Sequence, residues 1–539
     1  MTAAANVDAN RLRNLGYFFD DSVRRVPDKV CIIDLHGGTE RSTTYRKLDG
    51  RMNRVAATLT RLGVKSGQRV GMLVGNRTEF LEFFFGSMRV GAIPVPINTH
   101  LNAETLAYIL DDADCAVALI DPGCNPNAVE IAGCAALRHR LLLDRTEDGF
   151  ASYEDELAIS SDPVASPPLD RDAQALQLYT SGSTGRPKGV ITTHRGILWY
   201  IIHNQRHWPV SEDDRGLISL PLFHKSALRG TVKPMLYAGG SFVIMPRYEP
   251  KPYLNALAKY RCTFSRGVAA VFAMFLQHKD YLRTLDLGAL RRMEIGSGIV
   301  PPGLLDAVEQ AIPGVTASES YGSTEGGSPL RPPVDGRPVP RGSIGVPIPD
   351  IELKLLDVNG DSHPDTGELV FRSPYVCLGY HNQPQTSRDK LRDGWLHTGD
   401  IFFKDEDGFY FFRSRKDDMF SCGGENVYPK EVENLLFSHP DVANAVVVPL
   451  PHAAKGFVPA AMIVPRKGAS VTADEIRKYC LDHGPAYAHP RFVALTAAFP
   501  LSGAGKPDRA LIQAELESGY RNSGETMASA ADVGSSASS

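Results

Sequence analysis

The strongest constraint on the fold is an alternation of buried-helix and buried-strand blocks along the first half of the chain. EFLEFFFGSMRV at 79–90 reads as a buried helix and runs into the short strand Gly91–Ile97, with prolines at its rim. AETLAYIL at 103–110 reads as a helix and CAVALI at 115–120 as a strand. Such a repeating β–α order implies parallel sheets covered by helices. Residues 216–311 continue it, with GLISL and SFVIM as strands and KPYLNALAKY and GLLDAVEQA as helices.

Near residue 340 the character changes. IELKLLDVNG, GELVFRS and GFYFF favour strands and turns, marking a β-rich region over about 340–412. The charged run Arg413-Ser414-Arg415-Lys416-Asp417-Asp418 then precedes a small α+β pattern: helix 429–438, strands 444–449 and 461–465, helix 473–483 and strand 491–494. A domain boundary at that run gives an α/β architecture: a large N-terminal domain of helix-covered sheets over 1–416 and a small C-terminal domain over 417–517. Residues 518–539 lack the apolar side chains a fold needs and are expected to form a disordered Ser/Ala-rich tail.

Composition narrows the function class. The 539 residues suffice for two or more cores, and 43% hydrophobic with 22% charged content is that of a globular protein. A net charge of −4 lacks the basic excess of a nucleic-acid binder. The eight cysteines are dispersed without a C-x-x-C pair, which fits reduced thiols better than a disulfide frame or zinc site. The polar N-terminus carries no secretory pattern, no stretch approaches the roughly 18 apolar residues of a membrane span, and the final SASS is not a peroxisomal address. A cytoplasmic location is therefore expected.

YTSGSTGRPKGV at 179–190 follows a short buried strand, Ala175–Tyr179. Its glycines let backbone N–H groups converge, its hydroxyls add donors and Lys188 adds a point charge, so it suits an anion as well as it suits a surface turn. The spacing does not match G-x-x-x-x-G-K-[ST], so a phosphate loop here is of another kind. PLFH at 221–224 follows a strand. YGSTE at 321–325 is a glycine turn bearing an acid. WLHTGD at 395–400 puts Asp400 just after a glycine, where it could clasp a ribose or cap a turn. PLSGAGKP at 500–507 is a second Gly/Ser loop with one lysine.

Together with GWLHTGD, RKDDMFSCGGENVYPKEVE and GAGKPDR, these segments resemble the adenylate-forming (AMP-binding) enzyme superfamily, in its acyl- and aryl-CoA synthetase branch. The resemblance covers about residues 10–515 and holds in segment order and interval. It implies an acid–thiol ligase. A carboxylate attacks the α-phosphorus of ATP, releasing pyrophosphate, and the thiol of coenzyme A then displaces AMP from the acyl-adenylate.

The resemblance also implies site roles. Thr180, Ser181, Gly182, Ser183, Thr184, Gly185 and Lys188 would hold the β- and γ-phosphates. Glu325, joined by Thr184, would bind Mg²⁺, a hard cation that prefers oxygen. Tyr321, with Gly322 and Thr324, would flank the adenine, Asp400 would take the ribose hydroxyls, and Arg415 would contact ribose or phosphate. Lys506 would reach the attacking carboxylate and the α-phosphate, stabilising charge that builds in the transition state. Asp417 matches the hinge about which a mobile C-terminal domain swings between the half-reactions. His224 matches the gate between acyl pocket and thiol tunnel, and Gly423 and Gly424 line that tunnel. The chain departs from the family at Ser414, commonly Gly, and at Tyr487-Ala488-His489-Pro490, where a Tyr-Lys pair is common; Tyr487 and His489 could still face the CoA nucleotide.

The acyl pocket is expected around His224–Arg229, 265–272, 296–300 (with Gly296 and Gly298) and 326–330. Lys225, Arg229 and Lys233 recur every four residues, so a helix would align them on one face. Either that face turns inward to a polar or second acidic group on the substrate, or it faces solvent or a cofactor phosphate. An inward cation does not suit a long fatty acid, so a polar, hydroxy or aromatic acid is expected. No carrier domain follows Lys506, so CoA is the expected acceptor. A stand-alone enzyme that loads a separate carrier protein and a non-catalytic nucleotide-binding homologue are the alternatives.

Overall fold

The expected β–α alternation becomes two sheets around a shared core. The structure, a computed structural model, describes residues 13–125, 137–145, 147–159, 164–180, 186–296, 298, 300–357, 360–501 and 507–522. Arg69–Leu73, Ile93–Pro96, Cys115–Ile120, His139–Leu142 and Ala151–Ser152 form an all-parallel sheet in the spatial order 93–96, 69–73, 115–120, 139–142, 151–152. A seven-stranded sheet has the order Thr316–Ser320, Arg292–Gly296, Phe264–Gly267, Arg215–Ile218, Ser241–Ile244, Val30–Asp34, Arg41–Thr44. Its strands are parallel except the last, which folds back along Val30–Asp34.

The helix expected over 79–90 spans Thr78–Arg89 and is buried along its whole length. Phe80, Phe83, Phe84 and Phe85 share one core with Val70, Val117 and Leu119 of the first sheet and with Ile32, Phe242 and Ile244 of the second. Its charges are tolerated there because they are paired. Glu79 accepts from Arg41 at 2.7 Å and from Arg77 at 2.8 Å, and Glu82 from Arg51 at 2.9 Å.

Gln174–Thr180 and Lys188–Thr193 form an antiparallel hairpin, extended by Gly379–Tyr380. Thr180 pairs with Lys188, so the glycine-rich segment joins the two hairpin strands. The β-rich region is an eight-stranded antiparallel sheet that begins at Leu330 and ends with the strand Tyr410–Arg415.

Beyond the turn at 416–418, where Asp417 is exposed, the C-terminal domain has its own five-stranded sheet and its own core. Its helices are Pro429–Phe437, Ala473–His483 and Arg509–Asn522. The last helix corrects the expectation of a tail from 518. Tyr520 is 2% exposed and packs 5.8 Å from Phe492, so apolar burial carries the helix to Asn522. The helix Pro429–Phe437 lies against the N-terminal domain: Lys430 sits 4.6 Å over the Phe412 ring and 3.9 Å from Glu319. Among the described residues, no helix is long and apolar enough to cross a membrane.

Candidate active site

Four adjacent parallel strands, 215–218, 264–267, 292–296 and 316–320, deliver the segments after them to one edge of the seven-stranded sheet. Ligands of open α/β sheets collect at such an edge. His224, Gly298 and the turn Tyr321–Glu325 all come from there. His224 is exposed and caps a short helix, its Nδ1 accepting from the Ser226 N–H at 3.4 Å. Gly298 has open space around it. Gly296 answers a packing need, since a Cβ there would meet Ser320 Oγ at 2.2 Å.

The turn is closed by reciprocal backbone hydrogen bonds between Ser323 and Gly327, at 2.9 and 3.1 Å. A Cβ on Gly322 would stand 2.4 Å from the Gly327 carbonyl and 2.8 Å from Arg229 Nη1. Tyr321 has Phe402 edge-on at 4.9 Å and Phe412 stacked at 6.2 Å, and its hydroxyl donates to Asp400 Oδ2. Asp400 lies opposite Arg415 in the strand register, with Arg415 Nε 3.2 Å from Oδ1. Burial pushes the Asp400 carboxyl above its usual range, with Arg415 partly opposing. Tyr321, Asp400 and Arg415 therefore form one connected group. Ser414, the departure from the family glycine, is buried and donates to the Arg415 carbonyl at 3.0 Å.

Glu325 is tied to the hairpin. Tyr380 Oη donates to Glu325 Oε1 at 2.8 Å, and the Cys377 N–H donates to the Glu325 carbonyl at 2.7 Å. Tyr380 pairs with Val190 in the strand that begins at Lys188, so that strand and Glu325 are held to each other. Ser181, Gly182, Ser183, Thr184 and Gly185 lie outside the described residues, as does Lys506. Among the described residues there is no cluster of three or more metal-ligating side chains. A lone carboxylate nonetheless fits Mg²⁺, which keeps waters and binds substrate phosphates through one or two carboxylates.

The cationic stripe lies inside the fold. Lys225, Arg229 and Lys233 are all buried, which overturns the solvent-facing alternative. A π turn over Leu228–Val232 lies between Lys225 and Lys233. Lys225 acts electrostatically on the Cys377 thiol, Arg229 lies 5.6 Å over the Tyr200 ring, and Lys233 lies 5.9 Å from the Phe84 ring. Burial, aided by Arg229, pulls the Lys233 ammonium down to about 7.

Arg229 belongs to a group that sequence reasoning did not assemble. Arg266 Nη2 donates to Glu294 Oε1 at 2.6 Å and to Ser320 Oγ at 3.0 Å. Arg331 donates to the same Glu294 oxygen at 3.0 Å and to Tyr200 Oη at 2.8 Å. Burial pushes the Glu294 carboxyl up, but Arg266 and Arg331 outweigh it and hold it at about 2. An available signal was the charge inside the short strands FSRG and RMEIG.

In the C-terminal domain, Gly423 and Gly424 have φ of 63° and 91° and make the two-residue turn between Phe420–Cys422 and Glu425–Val427, a geometry that favours glycine at both places. Tyr487 is 36% exposed and lines a 200 Å³ cavity with Tyr428 and His489. His489 is drawn inward: its Nδ1 lies 2.6 Å from the Ala486 carbonyl, and burial pulls its pKa below the ordinary imidazole value. It therefore offers no fixed charge to a phosphate at neutral pH.

Comparison with known proteins identifies the family of the chain. A family model described as "AMP-binding enzyme" matches residues 19–381, and one described as "AMP-binding enzyme C-terminal domain" matches 431–506. A feruloyl-CoA synthase from Amycolatopsis sp is 34% identical over 475 residues, 87% of this chain and 93% of that protein. An indoleacetate–CoA ligase from Aromatoleum aromaticum is 32% identical over 489 residues, 88% of this chain and 95% of the relative. The anthranilate CoA ligase AuaEII, solved with anthranoyl-AMP, superposes with a TM-score of 0.86 at 27% identity, covering 94% of this chain and 98% of that one.

Proposed function

Because the chain belongs to the AMP-binding enzymes, as an acyl- or aryl-CoA synthetase that joins a carboxylic acid to CoA at the expense of ATP, we propose that it activates an aromatic or hydroxylated acid at the edge formed by Tyr321–Glu325, Asp400 and Arg415. One observation carries the assignment: Tyr380 ties Glu325 to the hairpin of Lys188, while Tyr321 ties the other end of the same turn to Asp400. Phosphate-binding and ribose-binding groups thus sit at opposite ends of one five-residue turn.

Asp400 and Arg415 hold the ribose hydroxyls. Thr180, Lys188 and the segment between them hold the β- and γ-phosphates by converging donors, so positioning supplies much of the rate. Glu325 would hold Mg²⁺, which would neutralise phosphate charge there. The substrate carboxylate oxygen bonds to the α-phosphorus as the bond to pyrophosphate breaks. The CoA sulfur then bonds to the acyl carbon and AMP leaves. Lys506 serves the first step, and Gly423, Gly424 and Tyr487 the second, with the C-terminal domain turning at Asp417. His224 stands at the passage between the two compartments.

The aromatic assignment is supported by the relatives' substrates, ferulate, indoleacetate and anthranilate, and by buried cations unsuited to a long alkyl chain. The test is a panel of aromatic, hydroxy and fatty acids with ATP, Mg²⁺ and CoA, scored for AMP and thioester. Thioester formation with aromatic or hydroxy acids is expected. Highest turnover on long-chain fatty acids refutes the substrate class, and adenylate without thioester points to a carrier protein.

A further inference from the structure

The cluster beneath Gly322 has more positive charge than the described residues neutralise. Arg229, Arg266 and Arg331 converge there, and Glu294 is the carboxylate hydrogen-bonded among them. All four side chains are at most 5% exposed. Glu294 is spent on Arg266 and Arg331. Nε and Nη1 of Arg229 are buried and have no hydrogen-bond partner among the described residues. The neighbouring phenol registers the excess: burial pushes Tyr200 up, but the three guanidiniums outweigh it and bring it below its ordinary value. Uncompensated buried charge is costly, so such an arrangement suits a site completed by an anion.

The position lets such an anion belong to the substrate. Arg229 Nη1 abuts Gly322, in the turn whose ends carry the proposed ribose and metal-phosphate groups. A ligand whose reacting carboxylate lies at this turn can therefore present its far end to Arg229. We propose that Arg229 binds a second carboxylate on the substrate, so that the acid activated here is a dicarboxylic acid. Arg266 and Arg331 sustain the positive field, and Glu294 holds those two in place. A planar guanidinium can take the carboxylate through two parallel N–H donors. The proposal rests on the ligase reading and narrows its substrate.

The test uses the full-length enzyme with ATP, Mg²⁺ and CoA on matched acids: benzoate against phthalate, isophthalate and terephthalate, and butyrate against succinate and glutarate. AMP and thioester are both scored. At least one dicarboxylate should exceed its matched mono-acid in kcat/KM by roughly 30-fold or more, the scale of a buried charged hydrogen-bond pair. Arg229→Met should lower that ratio by about tenfold or more, and Arg229→Lys should recover part of it. Mono-acids equalling or exceeding every dicarboxylate partner in the unaltered enzyme overturn the proposal while leaving the ligase reading intact, and this arm does not depend on how the variants fold. An unchanged ratio in folded Arg229→Met overturns it as well. Pyrophosphate release with none of these acids, nor with those of the wider panel, overturns the ligase reading and this proposal together.

Discussion

Glu294→Gln isolates the electrostatics of the buried cluster. The carboxylate receives hydrogen bonds of 2.6 Å from Arg266 and 3.0 Å from Arg331, and the three side chains are at most 4% exposed. Glutamine preserves the volume and one carbonyl acceptor, so neither a cavity nor lost packing contributes. What disappears is the charge opposing two guanidiniums. Breaking a buried pair at one partner costs about 3–5 kcal/mol, and the retained acceptor puts this change near the low end, about 3 kcal/mol. Trp199, Trp208 and Trp395 all lie in the N-terminal domain, so tryptophan fluorescence in urea reports that domain. At a slope of about 3 kcal/mol/M the midpoint should fall by about 1 M. The gap between the two proteins should also close in acid. A carboxyl depressed to about 2 contributes fully above its unfolded value and loses that contribution as pH falls toward 2. A midpoint shift below about 0.2 M, or a gap that persists through the acid range, refutes Glu294 as the counter-ion.

Two further outcomes are expected. Lys506→Ala should lower acid-dependent pyrophosphate release by about 10²-fold or more, while thioester formation from supplied acyl-adenylate persists; equal loss of both half-reactions refutes the division of labour. Burial pushes the Glu319 carboxyl up to about 7, with Lys430 only partly opposing, so its stabilising contribution is full below the unfolded value and lost as pH rises to 7. Glu319→Gln should flatten the fall in melting temperature between about pH 5 and pH 7.5, and an unchanged slope refutes the assignment.

Much of the architecture was legible because it rests on neighbours along the chain. The helix at 79–90 was found within a residue at each end, and the helix at 473–483 ends where its periodicity ends. The segment YGSTE was identifiable as a loop from its glycine and lies at the candidate site, whereas WLHTGD, grouped with the loops for its glycine, opens the strand Trp395–Lys404 and brings Asp400 to that site from within it. The tail boundary was misread because Tyr520, in a polar stretch, finds its apolar partner Phe492 on another element.

The sequence by itself determined the parallel α/β plan, the order of the motifs and the residues proposed to meet phosphate, ribose and metal. Only the tertiary structure decided how the buried charges pair. Four-residue spacing aligned Lys225, Arg229 and Lys233, and the fold buried all three. Glu294 became the partner of Arg266, 28 residues away, because their strands lie side by side, and Arg331 joined them from the antiparallel sheet. Periodicity reports contacts within one helix or strand. The pairing of buried charges depends on which strands become neighbours, and that is settled only when the sheets assemble.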